Sequence, residues 1–343
     1  MEPIRIGIAG CGMIARFHLN ALARVPGACA VACYDVNPAA AQKLAEEFGL
    51  TAYTELDAFL DQAPMALVDI CTPSGLRLPI IQKAAAQKKH VLLEKPLEIT
   101  MARAQAAVAV CRENGVKLGC IFQSRFSPDI QRVKALIDAG RLGRITLVDG
   151  QVKWYRTAAY YADSGWRGTW AMDGGGAVMN QGIHTVDLMR YLGGEVAEVQ
   201  GRAGTLAHPI QTEDTAAAVL VFENGALGTF AATTTAYPGL PAMLSVHGTE
   251  GSAMFCGEKL VFLKTQDGQD QTNWDVLSGS SAGGANPADI SDEGHRHVLE
   301  DMAEAIRQNR APAIDGEDAM ATVRVVCEIY RTAGMNVPPD GMA

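Results

Sequence analysis

The chain is predicted to be α/β: an N-terminal Rossmann-like, doubly wound parallel sheet, followed by an α+β half built on a large, mostly antiparallel open sheet. Three observations carry this. Short apolar runs alternate with helical patterns up to about residue 122, a glycine turn joins the first run to the first helix, and beyond residue 123 the apolar pattern changes to the two-residue alternation of half-buried strands. Alternating strand and helix gives parallel βαβ units, whereas successive alternating strands joined by tight turns give an antiparallel sheet. At 343 residues the chain exceeds what one hydrophobic core usually supports, so two domains are expected, residues 1–122 and 123–343.

In order, the first half offers strands at Arg5 to Ala9, Cys29 to Tyr34, Ala66 to Cys71, His90 to Leu93 and Lys117 to Phe122, with helices between them at about 13–24, 38–48, 78–88 and 100–113. A sheet of this kind presents its ligands at the carboxyl ends of the strands. The second half opens with a helix over Pro128 to Asp138. It continues through strands at Thr146 to Trp154, Val196 to Ala203, Ala216 to Phe222, Ala226 to Thr234, Leu244 to Gly248 and Gly251 to Cys256, with Glu223-Asn224-Gly225 as a hairpin turn. One helix, from about Ala177 to Leu192, is bracketed by Gly174-Gly175-Gly176 and Gly193-Gly194. Residues 265–294, dense in Gly, Ser, Asn, Asp and Gln, read as a loop before closing helices at about 295–309 and 317–333.

Composition narrows the partners. Lys and Arg number 29 against 38 Asp and Glu, a formal charge of 29 − 38 = −9, which argues against nucleic acid or an anionic membrane and for a small molecule. Met1-Glu2-Pro3 leads into an apolar run without a basic n-region, and no apolar stretch approaches the ~18 residues of a membrane span, so a cytoplasmic protein is expected. The eight cysteines are scattered, make no CxxC spacing, and are expected to be buried free thiols; no metal site is expected.

The run Gly7-Ile8-Ala9-Gly10-Cys11-Gly12-Met13-Ile14-Ala15 fits G-x-G-x-x-[GA] at a strand-to-helix junction. Gly10 permits a tight turn, Gly12 lets backbone approach a pyrophosphate, and the helix start at Met13 and Ile14 supplies N–H donors and positive dipole. Asp35 ends the second strand 23 residues after Gly12, near the ~20-residue offset of the carboxylate that binds adenosine ribose hydroxyls. That charge would repel a 2′-phosphate, and Val36, Asn37 and Pro38 include no arginine to receive one, so NAD is expected over NADP. Two further loops leave the same sheet edge, Cys71-Thr72-Pro73-Ser74 and Glu94-Lys95-Pro96, and both suit contact with the cofactor; Gln123, just after the fifth strand, is a further candidate.

Along the 177–192 helix, Asn180, His184, Asp187 and Tyr191 fall on one stripe, while Val178, Met179, Ile183, Val186 and Met189 cover the rest, so the polar stripe is expected to face a cleft. Between strand and helix, Trp154-Tyr155-Arg156, Tyr160-Tyr161, Trp166-Arg167 and Trp170 concentrate aromatics in a chain that is only 6% aromatic. Aromatic faces take the apolar C–H side of a sugar ring, and guanidinium groups donate to its oxygens. Tyr155 and Arg156 are the substrate-side candidates from this set, and Arg125, just after the fifth strand, and Tyr237 before Pro238-Gly239 are further cleft candidates.

Taken together, GIAGCGMIA at 7–15, CTPSGL at 71–76, HVLLEKPL at 90–97, GGGAVMNQGIHTVDLM at 174–189 and AEAIRQNRAPAIDG at 303–316 make the chain resemble the glucose-fructose oxidoreductase, inositol dehydrogenase and rhizopine-catabolism family, Gfo/Idh/MocA. The resemblance implies an NAD-dependent dehydrogenase acting on a ring hydroxyl of a sugar or polyol, with an NAD-binding first domain and a second domain for substrate and oligomerisation. By position it implies that Lys95 lies beside the nicotinamide and precedes a cis proline, that Trp166 and Arg167 approach the nicotinamide end, and that His184 is the acid/base. The family segment D-x-x-x-H here reads Asn180-x-x-x-His184. An amide orients a hydroxyl but exchanges no proton at neutral pH, so Lys95 and His184 are the titratable pair and Asn180 an orienting group. A homodimer or homotetramer is implied. Two alternatives stand beside this reading, an NAD-retaining glycosidase or lyase working through transient C3 oxidation, and a non-catalytic NAD(H) sensor.

Overall fold

The computed structural model describes residues 2–275, 292–335 and 337. By contacts the chain divides into two units, Met1–Gln123 with Ser291–Ala321, and Ser124–Ile290 with Thr322–Ala343. The first unit holds β1 (Ile4–Ala9), α1 (Met13–Leu22), β2 (Ala28–Tyr34), α2 (Pro38–Phe48), β3 (Thr51–Tyr53), α3 (Leu56–Gln62), β4 (Leu67–Ile70), α4 (Arg77–Ala86), β5 (His90–Leu93), α5 (Met101–Asn114) and β6 (Leu118–Cys120). Its six strands are all parallel, in the order β3-β2-β1-β4-β5-β6 of a doubly wound sheet. Local chemistry sets several helix ends. Asn37 Oδ1 accepts from Ala39 N–H at 3.0 Å ahead of Pro38, and Gly49 closes α2 in the left-handed region. Thr100 caps α5 in the same way.

The second unit is one eight-stranded sheet with helices on one face. Its elements are α6 (Pro128–Asp138), β7 (Ile145–Lys153), α7 (Ala158–Ala162), a π-helical turn (Ala177–Gly182), α8 (Ile183–Gly193), β8 (Val196–Gly204), β9 (Thr215–Phe222), β10 (Leu227–Thr233), β11 (Met243–Gly248), β12 (Gly251–Cys256), β13 (Lys259–Thr265) and β14 (Asp270–Thr272). The order is β14-β13-β12-β11-β7-β10-β9-β8, and every pairing is antiparallel except β7 with β10. Strand burial alternates as the sequence pattern requires: in β9, Ala216, Ala218, Leu220 and Phe222 face the core while Ala217 and Val219 face outward. The Glu223-Asn224-Gly225 turn joins β9 to β10, with Gly225 at φ 82° and Asn224 Oδ1 accepting from Ala226 N–H at 3.0 Å.

Four differences from the sequence reading stand out. β3 and α3 add a sixth strand and its helix at the edge of the parallel sheet, both too short to register as periodic segments. The expected 265–294 loop contains β14, and its 276–291 part lies outside the described residues. The 177–192 helix is not uniformly α but begins as the π-turn. Finally, the chain after the loop does not stay with the second half: α9 (Glu293–Gln308) packs its apolar face on α1, and α10 (Gly316–Thr332) starts within the first unit. Arg24 of the α1–β2 turn pairs with Asp292 and Glu293 at the start of α9, at 2.6 and 3.1 Å.

Candidate active site

In the first unit the functional groups ride on strand-end loops. Gly10 sits at φ +98°, and a Cβ there would lie 2.8 Å from Thr72 N and 2.9 Å from Cys71 C, so the turn needs glycine. Gly12 caps α1 in extended backbone, and a Cβ on it would meet nothing within 4 Å, which leaves the space before the helix N-terminus open. Asp35 fixes this loop: its Oδ2 accepts from Cys11 N–H at 2.8 Å and its Oδ1 from Asn37 N–H at 2.9 Å. A carboxylate has lone pairs to spare after two such bonds, so it can still take ribose hydroxyls. Met13 is 65% exposed at the helix start and Ile14 half-buried behind it. Thr72 Oγ1 and Gln123 Oε1 are buried atoms without a hydrogen-bond partner among the described residues, as expected of groups reserved for a ligand. Open glycine, N-terminal helix amides, an acid at the second strand and orphaned polar atoms together fit an NAD dinucleotide.

The Glu94-Lys95-Pro96 loop is held from below, and the Lys95-Pro96 bond is cis. Arg77 donates to the carbonyls of Glu94 and Pro96, to that of Lys95 at 3.4 Å and, across to the neighbouring loop, to that of Thr72 at 3.2 Å. The Glu94 carboxylate accepts from Lys95 N–H at 3.1 Å and faces two buried imidazoles, His18 Nε2 and His295 Nε2, each at 3.1 Å; His18 Nδ1 meets Asp69 Oδ2 at 2.7 Å. Burial opposes both charges. Asp69 outweighs it at His18 and holds that imidazole well above its usual range, while hydrogen bonds from His18 and His295 hold the Glu94 carboxyl well below its own. His18 and His295, which the sequence analysis does not single out, are both buried partners of the loop that carries Lys95. The available signal was Glu94 itself, an acid at the end of an apolar parallel strand, where burial demands a partner.

In the second unit the expected stripe divides. Between Asp173 and Arg190, Asn180 and His184 are half-exposed and every other residue is buried. Asp187 does not join them: it is 1% exposed and forms a two-point ion pair with Arg125, at 2.6 and 2.7 Å, and accepts from Thr322 Oγ1 at 3.0 Å. Tyr191 lies under the Arg125 guanidinium, 4.9 Å from its ring centroid. Asp187 and Tyr191 thus belong to packing, because a buried arginine from the preceding segment claims them. Asn180 is oriented by residues that sequence reading passed over. Its amide donates to Asp173, whose other oxygen takes Gly168 N–H at 2.9 Å, and its Oδ1 accepts from Gln181 Nε2 at 2.9 Å. Gln181 in turn accepts from Arg156 at 2.7 Å and donates to Tyr160 Oη at 2.9 Å. The Tyr160 ring is stacked by both Arg156 and Arg167, at 5.1 and 4.3 Å, and Arg167 also covers Trp166 at 5.2 Å. Tyr155 and Tyr237 form an edge-to-face pair at 5.3 Å, with Tyr237 81% exposed.

A doubly wound unit with this turn and acid, joined to a sheet unit that displays a half-exposed histidine, defines an NAD-dependent dehydrogenase. The chain belongs to the Gfo/Idh/MocA family: residues 4–122 match the oxidoreductase family with NAD-binding Rossmann fold, and residues 130–254 match the Gfo/Idh/MocA C-terminal domain. The WlbA dehydrogenase of Bordetella pertussis, solved with NADH and UDP-GlcNAcA, is 31% identical, with a TM-score of 0.86 over 97% of each chain. An NAD-dependent scyllo-inositol 2-dehydrogenase of Bacillus subtilis is 28% identical over 94% of this chain and 92% of its own, and the uncharacterized oxidoreductase YrbE of the same organism is 26% identical over 98% and 96%. Among the described residues no helix is long and apolar enough to cross a membrane.

Proposed function

We propose that the protein moves a hydride between NAD and a secondary ring hydroxyl of a sugar, sugar derivative or inositol. The observation that carries this is the sealed helix in which Asn180 and His184 alone are left half-exposed between Asp173 and Arg190. Relatives named for scyllo-inositol or solved with UDP-GlcNAcA support a polyhydroxylated ring as the substrate class.

NAD, when bound, supplies the hydride acceptor or donor. In this reading Gly10, Gly12, Met13 and Ile14 hold its pyrophosphate and Asp35 its ribose hydroxyls, while Thr72, Pro73, Ser74, Glu94, Lys95 and Gln123, with Trp166 and Arg167, line the rest of the cofactor. His184 takes the hydroxyl proton during oxidation and returns it in reduction, because a neutral imidazole both accepts and donates near neutral pH. The Lys95 ammonium offsets charge developing on the substrate oxygen. Asn180, locked by Asp173 and Gln181, presents a fixed amide that orients the hydroxyl, and Tyr155, Arg156 and Tyr237 contact the ring. The sheet's outer face, where Val219 and Leu227 are exposed, forms a homodimer or homotetramer, and light scattering at micromolar concentration tests this.

The experiment is a 340 nm screen with NAD against inositols, aldoses, uronic acids and 1,5-anhydrosugars. NADH formation with one group, reduced by about 10²-fold or more in Lys95→Met and His184→Ala, is expected. Full turnover by His184→Ala with normal NAD binding would refute the assignment, and product without NADH accumulation would favour the NAD-retaining lyase.

A further inference from the structure

An α-helix leaves its first N–H groups without partners inside the helix. Ahead of α8 every one of them ends on the same two residues. Gly176 N–H donates to both oxygens of the Glu213 carboxylate at 3.1 Å, Val178 N–H to its Oε1 at 2.8 Å, and Ala177 N–H to the Glu213 carbonyl at 3.1 Å. Met179 N–H donates to Tyr330 Oη at 3.1 Å, and the Tyr330 hydroxyl donates to Glu213 Oε1 at 2.8 Å. Asn180 N–H is the first to turn back into the helix, onto Gly176 O at 3.1 Å. Glu213 and Tyr330 are 0% and 1% exposed.

The glycines before the helix are the imprint of this arrangement. A Cβ on Gly175 would sit 2.1 Å from Tyr330 Oη, and one on Gly176 would sit 2.0 Å from Glu213 O. A serine or asparagine usually caps a helix without burying a charge, whereas here a fully buried acid, pushed up to about 7 by its burial, is retained for the task. The capped segment is also the π-turn, Ala177–Gly182, which contains Asn180 and directly precedes His184. Asn180 and His184, four residues apart, lie on one face whether the turn is π or α, so what the cap fixes is the offset of Asn180 along and around the axis relative to His184.

We infer that Glu213 and Tyr330 act as one composite cap that positions Asn180 and His184 by holding the π-turn. This rests on the catalytic reading of those two residues, and the tests separate the two ideas. The full-length protein is compared with Tyr330→Phe, Glu213→Gln and Glu213→Leu, following kcat, KM, NAD affinity, amide exchange at 176–179, and the 15N imidazole resonances of His184, assigned through His184→Gln. Tyr330→Phe and Glu213→Leu are expected to lower kcat between about 10- and 100-fold, the scale of an ångström-level misplacement, with NAD affinity within about twofold. They should also shift the His184 resonances and speed amide exchange at 176–179. Glu213→Gln, which keeps the Oε1 acceptor, recovers most of both effects. Unchanged His184 resonances and amide exchange in Tyr330→Phe and Glu213→Leu would overturn the inference, as would losses of kcat that only track global unfolding. Shifted resonances in a protein whose His184→Ala variant retains full turnover would leave the cap standing and remove the catalytic reading.

Discussion

Replacing Gly12 by alanine should weaken cofactor binding without harming the fold, while the same change at Gly10 should destabilise the fold itself. Gly12 has φ −76° and ψ −167°, open to any L-residue, and its new methyl would touch nothing within 4 Å. The substitution trims the freedom of the unfolded chain, worth about 0.4–1 kcal/mol of added stability. That methyl, however, stands where a pyrophosphate approaches the helix amides. Losing one charge-assisted hydrogen bond there costs about 1.5–3 kcal/mol, or roughly 10- to 150-fold in NAD affinity. At Gly10 the φ of +98° adds about 1–3 kcal/mol of strain, and backbone atoms at 2.8–3.0 Å add a further ~1–3 kcal/mol of overpacking. Thermal melts with and without NAD, combined with NADH fluorescence titration, separate the cases. Gly12→Ala should melt at or above the wild-type temperature and lose most of the NAD-induced rise, and Gly10→Ala should melt several degrees lower. Wild-type NAD affinity in Gly12→Ala would refute the placement of the pyrophosphate.

Three further outcomes follow from named contacts. Asp35→Asn removes the charge that opposes a 2′-phosphate while keeping an acceptor for one of the two loop amides, so the ratio of NADP to NAD affinity should rise about tenfold or more; an unchanged ratio in titrations would place the ribose elsewhere. Asp187→Asn leaves buried Arg125 unbalanced and should cost about 3–5 kcal/mol in urea denaturation, with kcat per folded molecule within about threefold; a hundredfold loss in the folded variant would return Asp187 to the catalytic set. Glu213 has a folded pKa raised from 4.5 to about 7, so its stabilising contribution is complete below about 4.5 and lost as pH rises through about 7, on the order of 3 kcal/mol. Urea midpoints of wild type relative to Glu213→Gln should fall across that window, and a pH-independent difference would contradict the raised value.

Local chemistry was legible in the sequence. The Gly10–Gly12 turn, Asp35, the long buried strands and the Asn224-Gly225 hairpin each depend on residues close together in the chain, and each lies in the expected kind of element. What escaped notice depends on distant partners. Met179 and Tyr330 are 151 residues apart, Glu94 and His295 are 201 apart, and nothing near Asp187 announces that Arg125, 62 residues earlier, neutralises it. The expected cleft-facing stripe failed at Asp187 for this reason: helical spacing gives direction around an axis, not the occupant of the space ahead. β3 and α3 were missed on different grounds, since three strand residues and seven helical ones carry too little period to read.

The first unit is discontinuous in the chain: residues 124–290, most of the second unit, lie between its two parts, and residues 322–343 return to the second. During synthesis, β1 to β6 leave the ribosome with one flank of α1 bare and with Glu94 lacking one of its two imidazoles. His295 arrives only after the whole inserted sheet has been made. The cofactor half, although its strands are translated first, is therefore completed only after the inserted sheet, and a fragment ending near residue 122 would lack the helix that covers α1 and the histidine that helps keep Glu94 charged beneath Lys95.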